Sequence, residues 1–335
     1  MKRQSYVKFI KKVCSVLLSI LLLIPFLFGC SKSIQKNNPH TFDIICTTFP
    51  HYDWMRQIIG DTEGVTLSLL ISNGTDPHSY EPTIADIAAL NHSDMVVLVG
   101  GDSDTWIKEA LAQSENKDLI QVKLNEMEGV TLQKITSESG HNHAHEHEHE
   151  HDGHDHSPYD EHIWLSLRNA AACVRGLTST LANHDPTHAE SYQANADRYL
   201  QALEDLDRRY VEAVASAAKR ELLFADRFPF IYLTEDYGLH VHAAFDGCTT
   251  DVNASFATIV SLAKEVSELC VTKIMVTEAS DQKLAEAVIR ATERSDLSIL
   301  AMNSLQSITN QGIQDGATYL SIMEENLSVL KEALS

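Results

Sequence analysis

Short β-rich runs alternate with amphipathic helical segments twice along this chain, once on each side of a long helical stretch, and that pattern admits few folds. The first series of runs is Phe42 to Thr48, Val65 to Ile71, Asp94 to Val99 and Leu119 to Leu124. The second is Glu221 to Ala225, His240 to Phe245, Lys273 to Thr277 and Ser298 to Met302. Each run is followed by apolar residues at helical spacing, as in Tyr52 to Ile59, where Trp54, Ile58 and Ile59 share one side; the last such segment is Gly316 to Leu334. Strands alternating with helices predict an α/β fold of two lobes, each with a mainly parallel sheet flanked by helices. A length of 335 residues with 44% hydrophobic side chains suits two domains with ordinary cores.

The stretch between the series predicts a rigid linker helix over 184–218. Pro186 sits where a first helical turn tolerates proline. Tyr192, Ala196, Tyr199, Leu203, Leu206, Tyr210 and Val214 keep helical spacing, and Glu204 with Arg208 and Asp205 with Arg209 are i,i+4 pairs. About 30 residues at 1.5 Å each make a rod of roughly 45 Å. The N-terminal lobe is then 41–183 and the C-terminal lobe 219–335.

The N-terminus carries an address. Residues 1–29 hold five basic residues and no acidic one, followed by the apolar run Val13 to Phe28. At about 16 residues the run is short for a membrane span and suits a secretory signal. Leu27-Phe28-Gly29-Cys30 resembles the lipobox of bacterial lipoproteins, which implies acylation of Cys30, a tether over 30–40 and a place on the outer face of the cell membrane. Beyond the signal, 21 basic side chains face 47 acidic ones, which repels nucleic acid and favours cations as partners. Cys46, Cys173, Cys248 and Cys270 are scattered, form no CxxC pair, and are expected mostly as small buried residues, although this compartment permits a disulfide.

Residues 141–156 read HNHAHEHEHEHDGHDH. His141, His143, His145, His147, His149, His151, His154 and His156 alternate with carboxylates; such a run builds no core, and its donors suit borderline divalent ions. An H-E-x-x-H match at His145, Glu146 and His149 follows from the repeat itself and does not indicate a protease. No Walker GxxxxGK[ST] pattern is present.

Two segments flank that loop in sequence: Gly74-Thr75-Asp76-Pro77-His78-Ser79-Tyr80-Glu81-Pro82 before it and Asp160-Glu161-His162-Ile163-Trp164-Leu165-Ser166 just after it. They resemble the metal-ligand signatures of the solute-binding proteins of zinc and manganese ABC transporters, the cluster A-I family. Thr48-Phe49-Pro50, Tyr237-Gly238-Leu239, Tyr319-Leu320 and Asn326-Leu327 extend the resemblance from about Ile44 to Leu334. It implies metal ligation by His78 and His162. Where the family has a third ligand the count back from Tyr237-Gly238-Leu239 falls on Arg227, which cannot ligate, so its neighbour Asp226 is the candidate. The fourth ligand matches Glu278. Some members use an Asp where this chain has Asn303, and Asp281, His51, His240 and His242 are reserves.

Two imidazoles and two carboxylates suit four-coordinate zinc. Zinc also outranks manganese at mixed nitrogen and oxygen sites, so Mn²⁺ is the alternative cargo. The resemblance implies a monomeric, non-enzymatic, lipid-anchored zinc-binding protein that delivers Zn²⁺ to an ABC permease and its ATPase. A metal-buffering or adhesin lipoprotein is the other reading, and a zinc hydrolase would need an open coordination position and a general base.

Overall fold

A computed structural model describes residues 41–112, 114, 116–135, 157–245 and 255–335. The signal and tether with Cys30, the histidine-rich loop 141–156 and Cys248 lie outside the described residues. Among the described residues no helix is long and apolar enough to cross a membrane.

The first series of runs forms one four-stranded sheet, with strands β1 (Phe42–Cys46), β2 (Val65–Leu69), β3 (Met95–Leu98) and β4 (Ile120–Lys123) in the order β2-β1-β3-β4. Every pair is parallel; Phe42 stands opposite Val65, Ile44 opposite Met95 and Val97 opposite Val122. The central β3 is buried along its whole length, as its Met-Val-Val-Leu sequence requires of a strand covered on both faces. The second series repeats the plan, with β5 (Glu221–Phe224), β6 (His240–Ala243), β7 (Lys273–Thr277) and β8 (Ser298–Met302) in the order β6-β5-β7-β8, again all parallel.

Parallel neighbours need crossovers, and helices supply them. They are α1 (Phe49–Ile59), α2 (Ile84–His92) and α3 (Thr105–Ala112), then α4 (Leu167–His184) and α5 (Ala189–Ser216), and finally α6 (Ile231–Tyr237), α7 (Phe256–Glu268), α8 (Lys283–Thr292), α9 (Asn310–Gln314) and α10 (Tyr319–Ala333). Several starts follow from capping side chains: the Thr83, Ser166, Ser255 and Thr318 hydroxyls each accept an N–H from the first turn of α2, α4, α7 and α10.

The long helix α5 runs 28 residues, roughly 42 Å, and starts at Ala189 rather than at Pro186. Asp185 causes the delay. It ends α4, and its carboxylate accepts from the His188 ring at 2.6 Å and from the Tyr192 hydroxyl at 2.6 Å, which holds the chain in a turn for three residues. All seven apolar positions named above on α5 are buried. Asn195 Nδ2 donates to the Ile58 carbonyl of α1 at 3.0 Å and the Tyr210 hydroxyl to the Met323 carbonyl of α10 at 2.6 Å. The helix is thus bonded to both lobes. A single apolar core takes in Ile44 and Trp54 from the first lobe, Leu203 and Tyr210 from α5, and Phe224 and Tyr319 from the second. Cys46 and Cys173 are buried thiols; Cys270 departs from expectation, being exposed in the turn after α7.

Candidate metal centre

The carboxyl ends of the strands carry the candidate site residues, as in other open parallel sheets. His78 follows β2, Asp226 follows β5, Glu278 directly follows β7 and Asn303 follows β8. His162 comes by a different route, on the loop that leads through a short turn, Ile163–Leu165, into α4.

His78 and His162, 84 positions apart in sequence, meet with their Nε2 atoms 3.1 Å apart. Each ring is held from behind. His162 Nδ1 lies 2.9 Å from Asp160 Oδ1, and His78 Nδ1 lies 3.0 Å from Glu161 Oε1. A carboxylate can only accept, so each Nδ1 carries a hydrogen toward its carboxylate and each ring turns its Nε2 toward the other. Two Nε2 atoms 3.1 Å apart can share one hydrogen or ligate one cation. The spacing is close to the roughly 3.3 Å edge of a tetrahedron with Zn–N bonds near 2.05 Å.

The supports are buried and continue outward. Glu161 Oε2 accepts from the Ser103 amide at 3.1 Å and the Ser103 hydroxyl at 2.5 Å. Burial alone would raise the Glu161 pKa, but the bond to His78, the charges of both imidazoles and the Ser103 bond outweigh it and hold the carboxyl at about 2. The Asp160 carbonyl accepts from the Tyr232 hydroxyl at 2.6 Å, and the Trp164 ring stands edge-on to His162 at 5.2 Å. Asp76 sets the other loop: its Oδ1 takes the His78 amide at 3.0 Å and its Oδ2 the Arg227 guanidinium at 2.7 Å. Burial would raise the Asp76 pKa, but Arg227 and the His78 amide bring it below the usual carboxylate value.

Asp226 and Glu278 are turned to other partners. Asp226 Oδ2 accepts from the Thr277 amide at 2.9 Å and hydroxyl at 2.7 Å, and its Oδ1 accepts from the Arg227 amide at 2.8 Å. Glu278 accepts from the Ser304 amide and hydroxyl, both at 2.8 Å. Among the described residues no three His, Cys, Asp or Glu side chains already stand ready to hold a metal. The structure therefore joins the two histidines and keeps the two carboxylates aside. Beside them opens a cavity of about 730 Å³ lined by Asp76, Ser79, Asp226, Arg227, Thr277 and Lys283 among others.

The reserves are engaged in other contacts. His51 is fully buried in α1, where Nε2 accepts the Thr48 amide at 3.0 Å; burial drives its pKa down to about 3, so it is a neutral structural ring. Asp281 pairs with Lys283 at the surface. Asn303 Oδ1 takes the Leu305 amide at 2.8 Å, and His240 and His242 pair with Glu221. Sequence reasoning missed Glu161, Ser103 and Asp76. Glu161 had a local signal, a carboxylate directly beside a candidate ligand; Ser103, 58 positions away, had none.

The family described as zinc-uptake complex component A, periplasmic, matches residues 44–333. The zinc-binding lipoprotein AdcA of Streptococcus pneumoniae is 30% identical over 323 residues, which are 96% of this chain and 61% of that protein. The high-affinity zinc uptake system protein ZnuA of Bacillus subtilis is 30% identical over 310 residues, 91% of this chain and 93% of that one. Zn(II)-bound AdcA superposes with a TM-score of 0.70 at 27% identity over 88% of this chain and 58% of that chain. The metal-dependent lipoprotein YcdH of Bacillus subtilis gives 0.71 at 26% identity, covering 88% of this chain and 99% of that one. The chain thus spans about three fifths of the length of AdcA. From the extent of the family match, through both sheets and the spine between them, the chain belongs to the periplasmic zinc-uptake component A family.

Proposed function

We propose that this protein binds Zn²⁺ outside the cytoplasm, tethered through Cys30, and hands it as a monomer to an ABC permease driven by a separate ATPase. The observation that carries the reading is the facing pair of Nε2 atoms on His78 and His162, 3.1 Å apart and each backed by a carboxylate. Imidazole nitrogen favours zinc over manganese, and the names of AdcA and ZnuA point the same way. The cation is cargo, bound and released unchanged.

Asp226 and Glu278 are the proposed oxygen donors. To reach the ion each gives up hydrogen bonds, to Thr277 and Ser304 respectively, worth about 1 kcal/mol apiece, a cost that coordination to a divalent ion exceeds. Residues 141–156 are the proposed looser collecting segment, since their alternating imidazoles and carboxylates suit divalent ions. Metal analysis and chelator competition test the reading. The protein should hold one tight zinc, and His78→Ala or His162→Ala should each weaken it 10-fold or more. Asp226→Asn and Glu278→Gln should weaken it while sparing the looser sites. Parental affinity in either histidine variant overturns the site.

A further inference from the structure

We propose that α2 and α7 present a duplicated apolar docking surface, one patch on each lobe beside the metal centre, for a membrane permease built of two like halves. The proposal rests on the reading that the chain hands zinc to such a permease, and it names the surface that makes the contact. The lobes repeat one another, β2-β1-β3-β4 against β6-β5-β7-β8, so α2, which leads from β2 to β3, corresponds to α7, which leads from β6 to β7. The two helices start alike. Thr83 and Ser255 cap them, each hydroxyl accepting the N–H three residues on. Position for position, Ile84, Ile87 and Leu90 then match Phe256, Ile259 and Leu262. Leu90 and Leu262 turn inward, each into an apolar cluster of its own lobe.

The other side of each helix would carry polar residues if it served only to face water. It is apolar instead. Ile84 is 89% exposed and Phe256 80%, the highest values for large hydrophobic side chains among the described residues. Ala85 and Ala88 on α2, and Ala257 and Val260 on α7, are exposed beside them at the same helical positions. A lone exposed hydrophobic is ordinary, but one stripe repeated in both lobes marks an interaction surface. Both stripes border the metal centre. Helices that follow parallel strands start at the carboxyl ends, where the candidate ligands stand. The start of α2 is tied to the His78 loop, since the Tyr80 hydroxyl donates to Asp86 Oδ2 at 2.7 Å. The start of α7 borders the 730 Å³ cavity through Ile259, which lines it with Asp76 and Ser79. Next to α2 a hollow of about 420 Å³, lined by Pro82, Ile87 and Trp106 among others, has room for a side chain of the partner.

Reach, charge and symmetry select the occupant. Thr41 is 11 residues from Cys30, and at 3.3–3.6 Å per residue that length spans at most about 40 Å, more than twice the roughly 17 Å of the strand β1. On the proposed tether, the body can therefore turn the carboxyl ends of its sheets toward a protein in the same membrane. Bare lipid suits the surface poorly, because a net charge of −21 is repelled by anionic headgroups. A second copy docked face to face would cover the mouth of the centre in both molecules and shut zinc out. A patch present once per lobe is met by a partner that itself offers two like surfaces. The family to which the chain belongs is a component of a zinc-uptake complex, which supplies such a partner.

Ile84→Glu, Phe256→Glu and the double variant, made in the full chain, test the surface in cells whose native copy is deleted. Both side chains are exposed, so zinc affinity in chelator competition and Tm should match the parent. Uptake of radioactive zinc at limiting concentration should fall about 5-fold in each single variant and to the level of the deletion strain in the double, while Ile84→Leu and Phe256→Leu retain it. Benzoylphenylalanine in place of Ile84 or Phe256 should cross-link to the permease on irradiation. Parental uptake in the double variant, weakened zinc binding in either Glu variant, or cross-links only to phospholipid or to a second copy of this chain overturns the docking surface. His78→Ala separates this proposal from the transport reading. If it lowers uptake while the double variant does not, transport stands and the docking surface falls; if uptake in His78→Ala equals the parent's, the transport reading falls and the docking surface with it.

Discussion

Trp164 Nε1 donates to the Ser304 carbonyl at 2.9 Å, and so the indole that stands edge-on to His162 is bonded to the C-terminal-lobe residue that holds Glu278. Histidine from one lobe and carboxylate from the other share a brace. Trp164→Phe keeps most of the buried ring and removes the donor, leaving a buried carbonyl without that partner. The expected cost is about 1–2 kcal/mol, a fall in Tm of roughly 2–6 °C for a chain of this size. Thermal melting with chelator present measures it. A variant that melts with the parent would show that the brace contributes nothing.

Glu161→Gln addresses the support behind His78. Gln keeps an acceptor oxygen but loses the charge that fixes the Nδ1–H tautomer, so zinc should bind roughly 10- to 100-fold more weakly. Fluorescent-chelator competition at neutral pH reads the change. Equal affinity in the variant would mean that His78 is oriented by its loop alone.

Gly101 lies against that same carboxylate. Its backbone is extended, with φ −87°, so alanine brings no dihedral strain. An added Cβ would, however, stand 2.6 Å from Glu161 Cβ and collide with the carboxyl group. Gly101→Ala should displace Glu161 and lower zinc affinity about as far as Glu161→Gln does. Crossing the two variants should give less than additive loss, since both act through one side chain. Full additivity in the competition assay would disprove the shared cause.

Acid stability is expected to turn on His51. Its folded pKa, about 3, lies below the ordinary value of 6.5 because burial disfavours the charged ring. The unfolded chain therefore binds the proton more readily. The stabilisation is complete above pH 6.5 and is lost progressively as pH falls toward 3. Glu161, held at about 2, has the same sign but acts lower, below its ordinary 4.5. Melting curves between pH 7 and 5 should therefore fall for the parent and flatten for His51→Gln, whose side chain does not titrate. Parallel slopes in that window would remove His51 as the cause.

The sequence made the two-lobe plan legible because it depends on local periodicity: the Lys273–Thr277 and Ser298–Met302 strands agree with the structure to the residue. The first strand is shorter than its β-rich run, since Thr48 turns off to cap α1, while Thr47 still bonds Val97 and Ile71 through its backbone and reaches His51 with its hydroxyl. His78 and His162 were visible through their flanking motifs. Their environment was not, because Glu161 with Ser103 and Arg227 with Asp76 pair across 58 and 151 positions. Arg227 could be excluded as a ligand from its chemistry, but its bond to the loop bearing His78 depends on the juxtaposition of the lobes.

Because one apolar core passes from the first sheet through α5 into the second, the molecule offers no plane along which its halves could part without exposing Trp54, Tyr210 or Tyr319 to water. Such a body does not gape like a jaw. On the proposed role, traffic through the centre falls to local exchanges: Asp226 leaving Thr277, Glu278 leaving Ser304, Arg227 leaving Asp76. Each is an exchange of hydrogen bonds over a few ångströms, so entry and exit are gated by side chains and short loops while the frame stands still.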